Sequence, residues 1–394
     1  MAPGFHGEVI MRKIVRWVMA ASVCGSILTS LARGEKAPLK GDEPNPAVGD
    51  SPDASPPFTH LSPKLRRLAI GKAMRKVGDW ELNRTREHFD QDWTFAALYA
   101  GFVAASESLP DSRYEDAMLG VGKKFDWKLG PRPAHADDQA IGQTYLALYR
   151  HHHDAKMIGP LRAQFDALVK TPDIPNKPVW WWCDAIFMAP PIWAGLARET
   201  GEKSYLGYMD RQWWTTSKLL YDSQEHLYSR DATFLDKYEA NGKKIFWSRG
   251  NGWVMAGLAR VLEVMPEDYP SRAKYLEQFR QMSRVVELQG ADGLWRPGLL
   301  NADGYPLPEV SGSAFFVYAI AWGVNHGVLD RAKYLQVIER GWAGVLSHVY
   351  SDGRLGCIQP IGAAPGDFKP TSSYVYGVGA FLLAGSELQR LARN

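Results

Sequence analysis

The chain has 394 residues, of which 45% are hydrophobic, so it is long enough to bury one large core or two ordinary ones. Its formal net charge of +3 is nearly balanced, and the absence of a basic run with interleaved aromatic residues argues against a nucleic-acid-binding surface. The 15 Trp and 17 Tyr residues suit a large core, and they also suit a cleft that binds carbohydrate.

The first 32 residues have the pattern of a secretory signal peptide. Three basic residues at positions 12, 13 and 16 precede a short apolar run that ends at a candidate cleavage site, Ser30-Leu31-Ala32. Met11 is an alternative start, because residues 1–10 have no role in this pattern. The run is shorter and less apolar than the alternative, a membrane anchor, requires. We therefore predict an exported protein, periplasmic or extracellular, with no membrane segment in its mature form.

The next segment, residues 33–58, is rich in Pro, Asp and Gly, which predicts a disordered tether. Residues 59–394 are then predicted to fold as a single domain. After removal of the signal peptide, Cys183 and Cys357 are the only cysteines. Whether they form a disulfide stays open, because the sequence does not give the distance between them.

Beyond the tether, a polar or aromatic cluster is followed six times by a helix of small and apolar residues. Alanine and glycine let such helices pack closely on several sides, as the inner helices of a barrel must. Six amphipathic helices with one apolar stripe alternate with them. Periodicity predicts an all-α fold, and twelve helices are the number that an (α/α)6 toroid requires; an irregular α bundle is the alternative. The inner helices are predicted at 96–106, 140–149, 185–197, 252–264, 314–324 and 377–388, and the outer helices near 62–78, 112–126, 157–170, 203–221, 271–288 and 331–347.

The six polar clusters have a shared consequence if each lies at the start of an inner helix. All of them then collect at one end of the barrel, around one cleft. Six helix N-termini contribute partial positive charge and free N–H groups there. The arrangement predicts a site that favours an anionic ligand.

Two adjacent acids, Asp137 and Asp138, lie in the segment 135–143 before the second inner helix. Neighbours on a helix point in different directions, so only one of the two is expected to face the cleft. The sequence leaves open which one does. An N-cap role for one of the pair is the alternative to a role in catalysis.

A single acid, Asp184, enters an apolar stretch in the segment 180–191, directly after Trp182 and Cys183. Ionisation is costly in such surroundings, so the pKa of Asp184 is predicted to rise. A carboxylic acid that stays protonated near neutral pH suits general acid catalysis. The alternative is an N-cap aspartate whose pKa is lowered by backbone N–H groups.

The octet 246–253 places a cation, an amide and two indoles at the mouth of a helix. Arg249 can hold a carboxylate through two parallel charge-assisted bonds, with Asn251 as a further polar group. Trp253 offers a flat apolar face to a pyranose ring. This composition suits an anionic sugar; the alternative is a tight loop whose arginine only forms a salt bridge.

These three segments closely resemble, in this order, the motifs of the unsaturated glucuronyl and rhamnogalacturonyl hydrolases, glycoside hydrolase families 88 and 105. The resemblance extends over about residues 60–392 and implies an (α/α)6 barrel. It also implies that Asp184 is the general acid/base and that Asp137 or Asp138 contacts the substrate. Arg249 would then hold the uronate carboxylate, and Trp182 or Trp253 would stack on the ring.

Arg230 departs from the family pattern, since it stands where many members have a histidine. A cation that does not deprotonate replaces a titratable group, which puts the substrate preference in doubt but not the reaction. Arg230 is a second candidate for holding the carboxylate.

The reaction that the resemblance implies is hydrolysis of oligosaccharides with a 4,5-unsaturated uronic acid at the non-reducing end. Water adds across the C4=C5 vinyl ether. Neither a cofactor nor a metal is expected, because the sequence has no nucleotide-binding motif and no convincing zinc-ligand spacing. Rival interpretations are an inverting glycosidase or a lyase on the same toroid, and a non-catalytic glycan-binding protein. The aglycone and the oligomeric state stay undetermined.

Overall fold

The computed structural model describes residues 45–174 and 177–392, which form fourteen α-helices and four very short strands. The predicted signal peptide and the first part of the predicted tether lie outside the described residues. The helices are α1 (Arg67–Thr85), α2 (Trp93–Ser108), α3 (Arg113–Lys124), α4 (Ala136–Gln139), α5 (Gly142–His152), α6 (Gly159–Val169), α7 (Ala185–Met188), α8 (Pro190–Thr200), α9 (Lys203–Leu220), α10 (Ser248–Val264), α11 (Arg272–Met282), α12 (Val310–Asn325), α13 (Arg331–Leu346) and α14 (Val375–Leu391).

Six of these helices form a closed inner ring. In order around the ring, α2, α5, α8, α10, α12 and α14 each contact the next, and α14 returns to α2. The outer helices α1, α3, α6, α9, α11 and α13 alternate with them along the chain. The structure is therefore the predicted (α/α)6 toroid, a single all-α domain of six helical hairpins.

Close approach of the inner helices depends on small residues where two backbones cross. A Cβ atom added to Gly101 of α2 would lie 2.6 Å from the carbonyl oxygen of Gly379 in α14. A Cβ atom on Gly257 of α10 would lie 2.4 Å from the carbonyl oxygen of Ile186 in α7. Only glycine fits at such crossings, which explains why the inner helices are rich in it.

The inner helix predicted as one element at 185–197 is interrupted. One turn, α7, ends at Met188, and α8 begins at Pro190. Pro190 and Pro191 have no backbone N–H, so they cannot continue the hydrogen bonds of the preceding turn. The break leaves the N-terminal turn of this inner helix as a separate unit.

The four strands form two small antiparallel pairs. The strands β1 (Gly49–Asp50) and β4 (Ser373–Tyr374) pair with each other, and β2 (Tyr221–Asp222) pairs with β3 (Leu227–Tyr228). The pairing of β1 corrects the tether prediction over its described part, residues 45–58. There the backbone of Pro57 accepts a hydrogen bond from Ser351, and the ring of Phe58 stacks on a tyrosine at 4.5 Å. Composition alone missed these contacts, because they are made with residues about 300 positions later in the chain.

Both cysteines left open by the sequence are buried and unpaired in the described part of the chain. The thiol of Cys183 faces the Asp184 carboxylate at 3.4 Å, and that of Cys357 faces a main-chain carbonyl oxygen. Across residues 45–174 and 177–392, no helix is long and apolar enough to cross a membrane.

Candidate active site

The polar clusters lie at the N-terminal ends of the inner helices, where the sequence placed them. Asp92 caps α2 by accepting a hydrogen bond from the Thr94 backbone, and Glu309 caps α12 in the same way. Asp184 immediately precedes α7, and α10 begins at Ser248. Because the inner helices run in the same direction, their N-termini surround one end of the barrel.

Asp184 enters this end of the barrel from the start of α7. Its side chain is 14% exposed, so it is largely desolvated but reaches the cleft. Among the described residues its carboxylate accepts no capping hydrogen bond from the α7 backbone, unlike the N-cap alternative. Burial raises the pKa of Asp184, while the positive charges of Arg230 and Arg249 partly oppose that rise. The residue is therefore placed to hold and release a proton.

Asp137 lies within electrostatic range of Asp184, and its side chain is 20% exposed. Burial raises its pKa to about 7, and the nearby charges of Asp184 and Asp92 contribute to the rise. Burial therefore favours the protonated form of both carboxyl groups.

Asp138 points the other way and holds the preceding loop. One of its oxygens accepts hydrogen bonds from the Arg132 backbone N–H at 2.6 Å and from Nε at 3.0 Å. The other oxygen accepts from Nη2 of the same arginine at 2.6 Å. The structure thus separates the adjacent acids, with Asp137 in the cleft and Asp138 committed to Arg132. The candidate catalytic role of Asp138 does not fit this arrangement.

Arg230 is the cation next to the acid. Its Nε lies 3.8 Å from the Asp184 carboxylate, and its Nη1 donates a hydrogen bond of 2.7 Å to Asp231. The side chain is 22% exposed, and its buried Nε has no hydrogen-bond partner among the described residues. Arg230 therefore keeps part of its side chain accessible beside Asp184, while its Nη1 is held by Asp231.

Trp181, rather than Trp182, presents an indole to solvent. Trp181 is 47% exposed and lies under the Arg230 guanidinium, 5.5 Å from its ring centroid. Trp182 is 4% exposed, because its ring packs against His135 and its backbone pairs with Asp231. The prediction that Trp182 stacks on the sugar does not fit this structure, and Trp181 takes its place as the accessible ring.

Arg249 is buried, a position that does not favour the predicted grip on the substrate carboxylate, and that role stays a prediction. Only 1% of it is exposed. Its two terminal nitrogens donate to the carbonyl oxygens of Gln359 and Pro360 at 2.5 and 2.8 Å, and Glu309 lies 3.9 Å away. The guanidinium also lies over the rings of two aromatic residues, Trp247 and Tyr376, at 4.4 and 4.8 Å. Arg249 holds a loop in place, and its charge lowers the pKa of Asp184.

The other two members of the octet are also internal. Asn251 accepts a hydrogen bond from the Tyr228 backbone N–H and donates to the carbonyl oxygen of the same residue, so it ties α10 to β3. Trp253 is fully buried against Phe187 and Phe315. Direct substrate binding by Asn251 or Trp253 therefore does not fit the structure.

Some residues near the cleft were not singled out from the sequence. Trp93, at the first position of α2, is partly exposed and stacks on Tyr376 at 5.5 Å. Trp93 and Trp181 each belong to a polar or aromatic cluster that precedes an inner helix. Position at the start of an inner helix could have indicated both, but it does not show which of several neighbouring tryptophans stays exposed.

Within the described ranges, the structure has no group of three or more His, Cys, Asp or Glu side chains arranged to hold a metal ion. The sequence-based expectation of a metal-free site stays a prediction. Among the described residues, the two carboxyls and Arg230 lie close together, and Nδ1 of the partly exposed His135 lies 3.8 Å from the Asp137 carboxylate.

A six-hairpin toroid with two largely buried carboxyls, one in α4 before the inner helix α5 and one before α7 and the inner helix α8, fits the (α/α)6 class of carbohydrate-active enzymes. Comparison with known proteins narrows the class, since the model of a family described as Glycosyl Hydrolase Family 88 matches residues 68–392. The chain therefore belongs to glycosyl hydrolase family 88 and is a glycoside hydrolase.

Two curated relatives carry the name unsaturated 3S-rhamnoglycuronyl hydrolase. The one from Formosa agariphila is 40% identical over 319 residues, covering 76% of this chain and 85% of the relative. The one from an Alteromonas species is 31% identical, covering 85% and 88%. A solved structure named as a polysaccharide lyase has a TM-score of 0.78 and 32% identity, covering 82% of this chain and 98% of that one.

Proposed function

We propose that this protein removes a 4,5-unsaturated uronic acid from the non-reducing end of oligosaccharides by hydrating the C4=C5 double bond. The observation that carries the proposal is the position of Asp184, a largely buried carboxyl that reaches the cleft beside a second carboxyl with a raised pKa. Binding a glycan does not require a desolvated acid, so this geometry favours catalysis over a non-catalytic role.

The vinyl ether of such a sugar needs an acid and then a base. Asp184 donates its proton to C4, which leaves an oxocarbenium-like ion at C5. Water adds at C5 and returns a proton to the Asp184 carboxylate, and the resulting hemiketal opens to release the aglycone. Asp137 supports the cycle, because burial and the charge of Asp184 raise its own pKa, so this second carboxyl keeps its proton while Asp184 is ionised.

Binding of the uronate carboxylate requires a cation, and we propose Arg230, which is accessible from the cleft. Its side chain is 22% exposed, whereas that of Arg249 is 1% exposed and donates from both terminal nitrogens to the main chain. The helix N-termini add partial positive charge at the same end of the barrel.

For the aglycone we propose a rhamnose, on the strength of the name shared by the two curated relatives. Trp181 is the accessible aromatic surface next to the acid, and an indole face suits the apolar face of a deoxysugar.

Ultraviolet absorbance of the conjugated enoate tests the reaction. Incubation with lyase-generated, rhamnose-containing oligosaccharides should remove the absorbance, with and without a chelator. The Asp184→Asn protein is the matched control and should leave the absorbance nearly constant. Activity on saturated uronides without activity on unsaturated ones would refute the proposal.

A lyase is the second candidate, because one structural neighbour is named as a polysaccharide lyase. The same assay separates the two, since a lyase creates the enoate and a hydrolase consumes it. Rising absorbance on an intact uronate-containing polysaccharide would identify a lyase.

Export to the periplasm or the medium is a further part of the proposal, supported by the pattern of residues 11–32. Determination of the N-terminal residue of the protein recovered outside the cytoplasm tests it. A mature start close to residue 33 is expected, and recovery of an uncut chain inside the cell would refute it.

A further inference from the structure

The helical turn α7, which follows Asp184, ends with two backbone carbonyl groups that have no donor within the helix. In a continuous helix, the carbonyl oxygens of Phe187 and Met188 would accept from residues 191 and 192. Residue 191 is a proline without an N–H, and the N–H of Ile192 donates instead to Ala189. Two buried carbonyl groups at the end of α7 therefore need partners from elsewhere.

One side chain supplies both partners. The amide nitrogen of Gln143, in α5, donates to the carbonyl oxygen of Phe187 at 2.9 Å and to that of Met188 at 3.3 Å. Gln143 is 95% buried, so water does not compete freely for these carbonyls. It lies just after the α4 turn that carries Asp137.

The orientation of this amide is set by a third helix. Nε of Arg260, in α10, donates to the Gln143 side-chain oxygen at 2.6 Å. An arginine has only donors, so the oxygen of the amide must face Arg260 and the NH2 group must face α7. On the same helix, Gly257 lies in backbone contact with Ile186.

We propose that Gln143, oriented by Arg260, is the positioning residue of the Asp184 turn. Pro190 and Pro191 detach this turn from α8, and Gln143 attaches it to the segment that carries the second carboxyl. The hydrogen bonds of Gln143 to Phe187, Met188 and Arg260, called the brace below, then fix the distance between the two acids and the depth of Asp184 in the cleft. This inference rests on the proposed function in one respect, that Asp184 is the acid.

Gln143→Met tests the brace, because methionine preserves most of the volume and removes both donors. Since misplacement by about 1 Å can cost about 100-fold, kcat should fall roughly 10- to 100-fold while KM changes less than about threefold. The alkaline limb of the kcat profile should move to lower pH, because a looser turn admits water to Asp184. Hydrogen exchange of the amides at 185–189 should accelerate at least about tenfold.

Gln289→Met is the matched control. Gln289 also donates from its amide to two main-chain carbonyls, of Gly293 at 2.8 Å and Val337 at 3.0 Å, but it joins a loop to the outer helix α13. We expect it to lower the unfolding temperature by a similar amount while kcat, its pH profile and exchange at 185–189 stay unchanged.

A second variant covers the case in which Gln143→Met does not fold. Gln143→Glu keeps the size of the side chain and its contact with Arg260 but removes the donors to α7, so faster exchange at 185–189 is again expected.

Two results are decisive against the brace. Unchanged exchange at 185–189 in the folded variant overturns the proposal, and so does equal loss of kcat in the Gln289 control. The exchange measurement needs no substrate, so it separates this inference from the proposed function. If the wild type does not consume unsaturated oligosaccharides but Gln143→Met still accelerates exchange at 185–189, the proposed function is wrong and the brace is supported.

Discussion

Two segments with similar composition play different parts in this protein. The acid segment, residues 180–191, and the arginine segment, residues 246–253, each combine tryptophans with one charged residue at the start of an inner helix. In the acid segment, Asp184 and Trp181 reach the cleft. In the arginine segment, Arg249, Asn251 and Trp253 are all buried and hold neighbouring backbone or side chains. Polar and aromatic residues at a helix start thus identify the end of the barrel that carries the site, but not the residues that touch the substrate.

The physical cause of the difference is what covers each segment. A loop that contains Gln359 and Pro360 lies over Arg249 and is bound by its guanidinium. Arg230, which follows β3, lies beside Asp184 without covering it. The same residue types therefore stabilise the fold in one segment and remain available for chemistry in the other.

Replacement of the acid should give the largest effect. Asp184→Asn preserves shape but does not cycle a proton, so kcat should fall about 10²- to 10⁴-fold. Substrate binding, measured by calorimetry, and the unfolding temperature should change little. Retention of more than a tenth of wild-type kcat would place the acid elsewhere, with Asp137 the next candidate.

Removal of the buried cation should act on stability. Arg249→Met removes two hydrogen bonds to the main chain and the countercharge of Glu309, which keeps its hydrogen bonds from Gly312 and Gln359, so the free energy of unfolding should fall by about 3–5 kcal/mol. Chemical denaturation measures this loss. A variant as stable as the wild type but with a raised KM would show that Arg249 binds the substrate.

A comparison of the two arginines sharpens this point. Arg249→Lys should leave the discrimination between a free and an esterified uronate unchanged, whereas Arg230→Lys should weaken it, because lysine lacks the planar fork. If Arg249→Lys alone lost that discrimination, the carboxylate would bind in the arginine segment.

The pH dependence of stability should reveal the carboxyl of Asp137. Its folded pKa of about 7 lies above the ordinary value of 3.8, so the folded state keeps a proton that the unfolded state releases. Its stabilising contribution is therefore complete below about pH 4 and is lost as the pH rises toward 7. Asp137→Asn should reduce this decline by on the order of 1–3 kcal/mol. Denaturation at pH 5 and pH 8 measures it, and an identical decline in both proteins would contradict the assignment.

The smallest effect is expected at the exposed indole. Trp181→Ala removes the aromatic surface beside Arg230 and should raise KM about 2- to 10-fold, equivalent to 0.5–1.5 kcal/mol, with little change in kcat. Trp253→Phe is the contrasting change, since it should alter stability and leave KM unchanged. The reverse result would exchange the roles of the two tryptophans.

Much of the architecture was predictable from the chain alone. Small residues in six helices and single apolar stripes in the six others predict the two layers of the toroid. The resemblance of the motifs to those of families 88 and 105 implies that the helices form an (α/α)6 barrel. The inner helix at 185–197 was predicted without its break, although Pro190 and Pro191 were visible. The tether prediction failed over residues 45–58, because composition does not register strand pairing with Ser373 and Tyr374.

By itself the sequence determined the helical pattern and the clustering of polar residues at one end of the barrel, which follow from local periodicity. The prediction that Asp184 is the acid came from the resemblance of its motif, because its position alone left an N-cap role open. Only the tertiary structure decided that Asp137 rather than Asp138 faces the cleft, and that Arg249 is covered. Burial depends on segments distant in the chain: Arg249 is closed off by a carbonyl group 110 residues later, which no local pattern encodes.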